Sequence, residues 1–487
     1  MTSVSLRNKD HQSDATATAL LGFGDDPALS ELGARWGVDL VALVSTIGPR
    51  SNTGEVTTLA IPTATLGVQR LVLVATADLT KASEPERLRG LRDAAMLAVQ
   101  HAGGRSLDLV IPEQSNTPAT LRALSEGLVL GAYRCPTEAL RPAEVTPYPE
   151  SCFLVVSSTS PEAGEALRRG VIVAQRTNWV RDLVSMPPDR LSPSALAEII
   201  EAEAASLGVQ CSVWSGDDLI RQNFGAVRGV GQGSSRPPCV VELRWGEGPA
   251  LALTGKGITF DAGGINLKTS HEVSYMKSDM ASAASVAAAL FASVELGLTT
   301  SLHALLPLAE NMPSGHAIRP GDVLHHPGGM TTEVTDTDCE GRLVLADCIA
   351  HFAALQPRAI IDIGTLTDAA GFGTSLVATM SNNASLHEAF GSAAALSGDR
   401  SWPMPYLKEY EELLRSPVAD LVNCCQKAPD SSVLTGTYLG VFAQEVPWLH
   451  LDTGSTAWLE SPQGAWPAGA TGSPTRSLVA YIEATAN

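Results

Sequence analysis

The stretch EVTDTDCEGRLVLADCIAHF places Asp336, Asp338, Glu340 and Arg342 two residues apart. Read as an extended segment ahead of a helix, this spacing predicts that all four face one side, because side chains in extended chain alternate with a period of two. Three carboxylates on one face repel one another, and one arginine cannot offset them in a partly buried setting. A bound metal cluster is the economical solution. Oxygen-rich ligation with few or no histidines suits hard or borderline divalent ions such as Mn, Mg or Zn, and two ions can share bridging carboxylates. The spacing leaves the number of ions open.

A second stretch, LTGKGITFDAGGINLK, hangs Lys256, Asp261 and Lys268 from a glycine-rich turn after a buried strand. Neither GxxxxGK[ST] nor GxGxxG can be read in it, so it is not a phosphate loop. Taken alone it would be a surface turn with solvated charges. In MKSDMASAASVAAAL, Asp279 stands where an apolar helix begins, and taken alone it would cap that helix. Other candidates read as structural. His325 and His326 precede PGG and, being adjacent, point in different directions, so they are read as loop histidines. Gly229, Gly231 and Gly233 are followed by Pro237 and Pro238 where a nucleotide-binding helix would start, which favours a structural turn. Cys339, between alternating ligands, should point away from them as a small packing residue.

Together, GKGITFDAGGINLK, MKSDM and TDTDCEGRLVLAD closely resemble the signature blocks of the leucyl aminopeptidase family of dinuclear metallo-exopeptidases. VGQGSSRPP, AENMPSG with RPGDV, IDIGTLT, PWLHLD with TAW, and ATG extend the similarity over about residues 175 to 480. The resemblance implies two divalent ions per subunit, Mn or Zn foremost, with Mg or Co as alternatives. It assigns a tight site to Lys256, Asp261, Asp279 and Glu340, and an exchangeable one to Asp261, Asp338 and Glu340. Lys256 can ligate only as the neutral amine, so metal binding must displace a proton from a group whose ordinary pKa is about 10.4. The resemblance further gives Lys268 the oxyanion of the tetrahedral intermediate and Arg342 a bicarbonate ion that acts as general base. The substrates implied are peptides with a free N-terminus, their first side chain received around Met276, Thr365, Leu366 and Asp368. Several positions depart from the family pattern: Asp336 for asparagine, Cys339 for alanine, Ala281 and Ser282 for a glycine-rich pair, Asp368 for the glycine after TLT, and CCQKAPDSSVLTG for a glycine and alanine-rich stretch. These put pocket specificity in question more than reaction type. The competing reading is a non-catalytic scaffold or DNA-binding regulator that keeps the fold.

The elements that must position these residues are those of an α/β protein. With 487 residues, and roughly 150 per domain, two or three domains are expected. A composition of 44% hydrophobic and 17% charged residues excludes intrinsic disorder. Residues 1 to about 16 read as a loose tail, and Leu40–Val44 and Leu71–Val74 as strands. A long helix is expected between Glu162 and Val184, then breakers at Pro187 and Pro188 and a cap at Ser192. The domain boundary is placed there, giving an N-terminal domain of 1–165 and a catalytic domain of 166–487. Strands are expected at Val240–Leu243, Leu251–Leu253, Leu302–Leu306 and Ile360–Ile363, with a packed helix over Ala284–Ala292. The resemblance adds a smaller macro-domain-like N-terminal domain, a mixed catalytic sheet flanked by helices, and a homohexamer. A net charge of −19 opposes binding to nucleic acid or an anionic membrane, and eight cysteines without a CxxC pair, no leader and no long apolar span point to the cytoplasm.

Overall fold

The computed structural model describes residues 2–486 apart from 11–14, 23–26, 50–51, 64–66, 77–78, 80, 112–115, 137–147 and 368–372. The chain forms two compact units. The first comprises Met1–Asn178 with Leu396–Gly398 and Ser461–Ala468, and the second Trp179–Ala395, Asp399–Glu460 and Gly469–Asn487. The first ends inside the helix Pro161–Ser185, near whose start the sequence places the boundary.

In the first unit a six-stranded sheet runs Ser3–Asn8, Ser151–Val156, Ser106–Val110, Ala17–Leu21, Gly67–Val74, Val56–Thr63. Only Val56–Thr63, at one edge, is antiparallel to its neighbour. Two sequence expectations are corrected here. Residues 3–8 are not tail but an edge strand, because their backbone finds a parallel partner in Ser151–Val156. Leu40–Val44 belongs to the helix Leu40–Ile47, since Asp39 caps it by accepting from the Ala42 N–H at 2.9 Å and the apolar run LVALV carries no strand alternation.

The second unit is built on a nine-stranded mixed sheet. Its central strands Leu302–Asn311, Leu251–Gly255, Ala359–Gly364 and Trp448–Asp452 are parallel, Gly257–Asp261 adds parallel to Leu302–Asn311, and antiparallel strands stand outward of them. All four expected strands and the alanine-rich helix, now Ala281–Glu295, are present. Ser192 caps the helix Pro193–Leu207. The helix Glu340–Leu355 buries Leu343, Leu345, Ile349 and Phe352 in one core with Val240, Ala252, Leu305 and Ile360 of the sheet and Leu434 and Tyr438 of the helix Ser431–Ala443. A helix enclosed by apolar contacts on every side cannot rotate cheaply, so its first turn is fixed against the sheet edge.

Candidate active site

The carboxyl ends of the parallel strands collect the site. Lys256 and Thr365 follow Leu251–Gly255 and Ala359–Gly364 directly, while Asp261, Asn311 and Asp452 end their own strands. Ligands bind at this edge of α/β sheets because the connections leaving it diverge and open a crevice. Lys256 Nζ lies 2.8 Å from Asp279 Oδ2 and 2.7 Å from Glu340 Oε1, and donates to the Thr365 carbonyl at 2.9 Å. Lys268 Nζ lies 3.0 Å from Asp261 Oδ2 and 2.7 Å from Asp338 Oδ1. Asp261, Asp338 and Glu340 bring carboxylate oxygens within 4.8 Å of one another. Two glycines permit this crowding. Gly263 has φ 87°, and a Cβ there would sit 2.2 Å from the Asn266 carbonyl; a Cβ on Gly341 would sit 2.6 Å from the Lys256 side chain.

The geometry corrects the period-two expectation. Only Thr331–Glu333 is strand; the chain then turns, with the Cys339 N–H reaching the Asp336 carbonyl at 3.3 Å, and the helix starts at Glu340. Because the apolar helical run pulls residues 340 and 342 into the first turn, they point to different sides. Glu340 faces Lys256, whereas Arg342 donates to the Asn423 carbonyl at 2.9 Å and, among the described residues, pairs with no carboxylate. Asp336 leaves the cluster, its Oδ1 taking the Asp338 N–H at 2.9 Å, and stands with Cys339 and Cys424. Cys339 groups with Asp336 and Cys424 and not with Asp261, Asp338 and Glu340, and it is half-buried rather than sealed in the core.

Asp279 does not cap the helix Ala281–Glu295. It is the penultimate residue of the 3₁₀ helix Glu272–Met280, accepts from Thr365 Oγ1 at 2.6 Å and pairs with Lys256. Met276 is half-buried three residues earlier in that 3₁₀ helix, and the Leu366 side chain packs toward the core. Asp368 lies outside the described residues. His326 is a core residue and not a surface loop histidine: its Nδ1 is 2.7 Å from Asp347 and its Nε2 2.8 Å from Thr332 Oγ1. His325 is exposed. Gly229 and Gly231 sit in a short helix, Gly225–Gly231, against Leu324 and Pro238.

Sequence reasoning missed the residues that hold the site from behind. Asn311 Nδ2 donates to Asp261 Oδ1 at 2.8 Å and to the Thr337 carbonyl at 2.9 Å, tying both loops together. Asp452 accepts from the Leu366, Thr367 and Gly454 N–H groups and from Thr367 Oγ1. Their signal was position alone, since both end strands at the edge where Asp261 also ends.

The electrostatics describe a centre short of positive charge. Four buried or half-buried carboxylates face two ammonium groups. Burial, then the Asp261 charge, pushes Glu340 up to about 8 and Asp338 to about 6; burial also raises Asp279. Burial pulls both lysines down, yet the carboxylates outweigh it and hold both above their ordinary range. The contacts are at ion-pair distance, but Asp279 Oδ2, Asp338 Oδ1 and both Glu340 oxygens accept no hydrogen bond of good angle. Enclosed carboxylate oxygens in excess of the ammonium groups that face them suit divalent cations.

A mixed α/β sheet carrying an acidic, lysine-containing centre at its carboxyl edge defines a class of hydrolytic enzyme, and the comparisons specify it. Residues 178–479 match the cytosol aminopeptidase family, catalytic domain. A probable cytosol aminopeptidase of Geobacter sulfurreducens is 34% identical, covering 99% of each chain, and one of Leifsonia xyli subsp. xyli is 40% identical over 80% of this chain and 82% of its own. Among solved structures, the bottromycin maturation enzyme BotP in complex with Mn is 32% identical with a TM-score of 0.84, covering 97% of this chain and all of its own. A mutant tomato leucine aminopeptidase is 26% identical with a TM-score of 0.86, covering 99% of this chain and 96% of its own. The chain belongs to the cytosol aminopeptidase family of metallo-exopeptidases.

Proposed function

We propose that this protein removes the N-terminal residue of peptides by a two-metal mechanism. The observation that carries the reading is the buried excess of carboxylate over ammonium, with Glu340 Oε1 held only by the Lys256 ion pair and Oε2 accepting no hydrogen bond among the described residues. Lys256, Asp261, Asp279 and Glu340 would hold one ion, and Asp261, Asp338 and Glu340 the other, with Mn or Zn first and Mg or Co next; BotP, solved with Mn, supports the first choice. When bound, two such ions polarise the scissile carbonyl, bind the substrate α-amine and acidify a shared water.

The chain's own groups supply the rest. Lys256 sheds its proton on becoming a ligand, while the Thr365 carbonyl keeps its nitrogen aimed at Asp279 and Glu340. Lys268, a fixed cation at the rim, stabilises the oxyanion of the tetrahedral intermediate. Arg342, buried and without a carboxylate partner among the described residues, would hold a bicarbonate ion able to serve as general base. Met276 and Thr365 would border the pocket for the first side chain, Met276 from the 3₁₀ helix Glu272–Met280 and Thr365 beside Asp279. The resemblance carries over a homohexamer, which light scattering tests, and a cytoplasmic location; among the described residues no helix is long and apolar enough to cross a membrane.

The scaffold or DNA-regulator reading is not favoured, because such a protein has no need of both Lys268 and Arg342, and −19 charges oppose DNA. The test is hydrolysis of a panel of aminoacyl amides by chelator-treated protein before and after Mn, Zn, Mg or Co is restored. Activity is expected only with metal, and Glu340→Ala is expected to lose both activity and bound ions. Full turnover in demonstrably metal-free protein would refute the mechanism.

A further inference from the structure

We propose that Asp336, Cys339 and Cys424 form a separate site for one thiophilic divalent ion of the zinc class, beside the oxygen-rich centre. It does not rest on the peptidase reading. One oxygen and two sulfurs of these residues lie within 4.8 Å of one another. Ligands of one tetrahedral ion stand within such a span, given Zn–S of about 2.3 Å and Zn–O of about 2.0–2.2 Å. All three residues are half-buried, which leaves the fourth position to solvent.

The backbone that carries them is already organised. Asn423, fully buried, accepts the N–H groups of Thr335 and Asp336 at 2.8 and 3.3 Å and donates to the carbonyls of Asp336 and Cys339 at 2.7 and 3.2 Å. Thr335 Oγ1 donates to the Cys424 carbonyl at 2.7 Å. The two ligand-bearing segments are thus clamped to each other before any ion arrives, and the Asp338 N–H orients the Asp336 carboxylate. Sulfur ligands select zinc, cadmium or cobalt over Mn and Mg, so this site and the all-oxygen set of Asp261, Asp338 and Glu340 sort ions by softness. An ion here ties the turn carrying Asp338 to residues 423–425.

The experiment uses reduced, full-length protein loaded with Mn and titrated with Cd²⁺. A sulfur-to-cadmium charge-transfer band is expected, saturating at one equivalent per chain and unaffected by excess Mn. Cys339→Ala and Cys424→Ser should each abolish it, and Cys425→Ser should keep it, with circular dichroism and Mn content unchanged to show that each variant folds. No band in the wild type, a band surviving in either Cys339→Ala or Cys424→Ser, or a Cys339–Cys424 disulfide persisting in the reduced protein would overturn the assignment. Because oxygen ligands give no such band, this outcome is separable from success or failure of the hydrolysis assay.

Discussion

Glu340→Gln tests whether the centre is short of positive charge. The carboxyl of Glu340 is pushed up to about 8 from an ordinary 4.5, by burial first and then by Asp261. The folded state therefore binds more protons than the unfolded one between these values, and metal-free stability must fall as pH rises through the window. Each pH unit inside it removes about 1.4 kcal/mol, and integration from pH 5 to pH 8 gives a loss of about 3 kcal/mol from this group alone. Glutamine keeps the shape and abolishes the ionisation, so the variant's decline should be smaller by about that amount. Asp279 and Asp338 are raised in the wild type too and titrate together with Glu340, so the difference between the two curves reports the response of the coupled cluster to removing that carboxyl. Added Mn should reverse the trend in the wild type, because each ion offsets the ionised carboxylates, and should do far less in the variant. The assay is urea denaturation of chelator-treated wild type and Glu340→Gln at intervals from pH 5 to pH 8, repeated with Mn. Parallel metal-free curves, or equal stabilisation of both proteins by Mn, would refute the reasoning.

Arg342→Ala should retain the wild-type metal content and lose turnover, since its guanidinium contacts the Asn423 carbonyl and no carboxylate of the cluster; loss of metal by elemental analysis would contradict that separation. Asp452→Ala strips the acceptor from the Leu366, Thr367 and Gly454 amides, so it should destabilise the fold by about 1–3 kcal/mol and lower kcat/KM as the Thr365 carbonyl loosens its hold on Lys256. Unchanged kinetics and denaturation midpoint would show that the loop holds without it. Asp368→Gly should shift preference from polar or basic first residues toward leucine, read as kcat/KM for Leu, Met, Arg and Lys amides; an unchanged order at equal metal content would refute a role for Asp368 in substrate choice.

What was legible in the sequence depended on how many residues a feature needs. The buried strands of the catalytic unit announced themselves as apolar runs, and the alanine-rich helix by composition, because each is a local property of five to fifteen residues. Leu40–Ile47 failed because a short apolar run has no period to separate helix from strand, and the deciding Asp39 cap is one hydrogen bond. Ser3–Asn8 failed because its partner, Ser151–Val156, is far away in the chain. In the site, the spacing singled out Asp336, Asp338 and Glu340 as a metal-seeking set and only the family resemblance added Asp261, yet the face that Asp261, Asp338 and Glu340 share is not the face of one strand. It arises where a turn, the first turn of a helix and the end of a strand meet, so the spacing that drew attention to the motif implied a one-sided extended geometry that the fold does not have. Asp336 is the instructive case. Its two-residue offset from Asp338 suggested a common ligand set, but the helix beginning at Glu340 rotates the chain and delivers Asp336 to Cys339 and Cys424 instead. A substitution pattern that looks like drift around a catalytic motif thereby gathers a carboxylate and two thiols around Asn423, which only the tertiary fold could bring together.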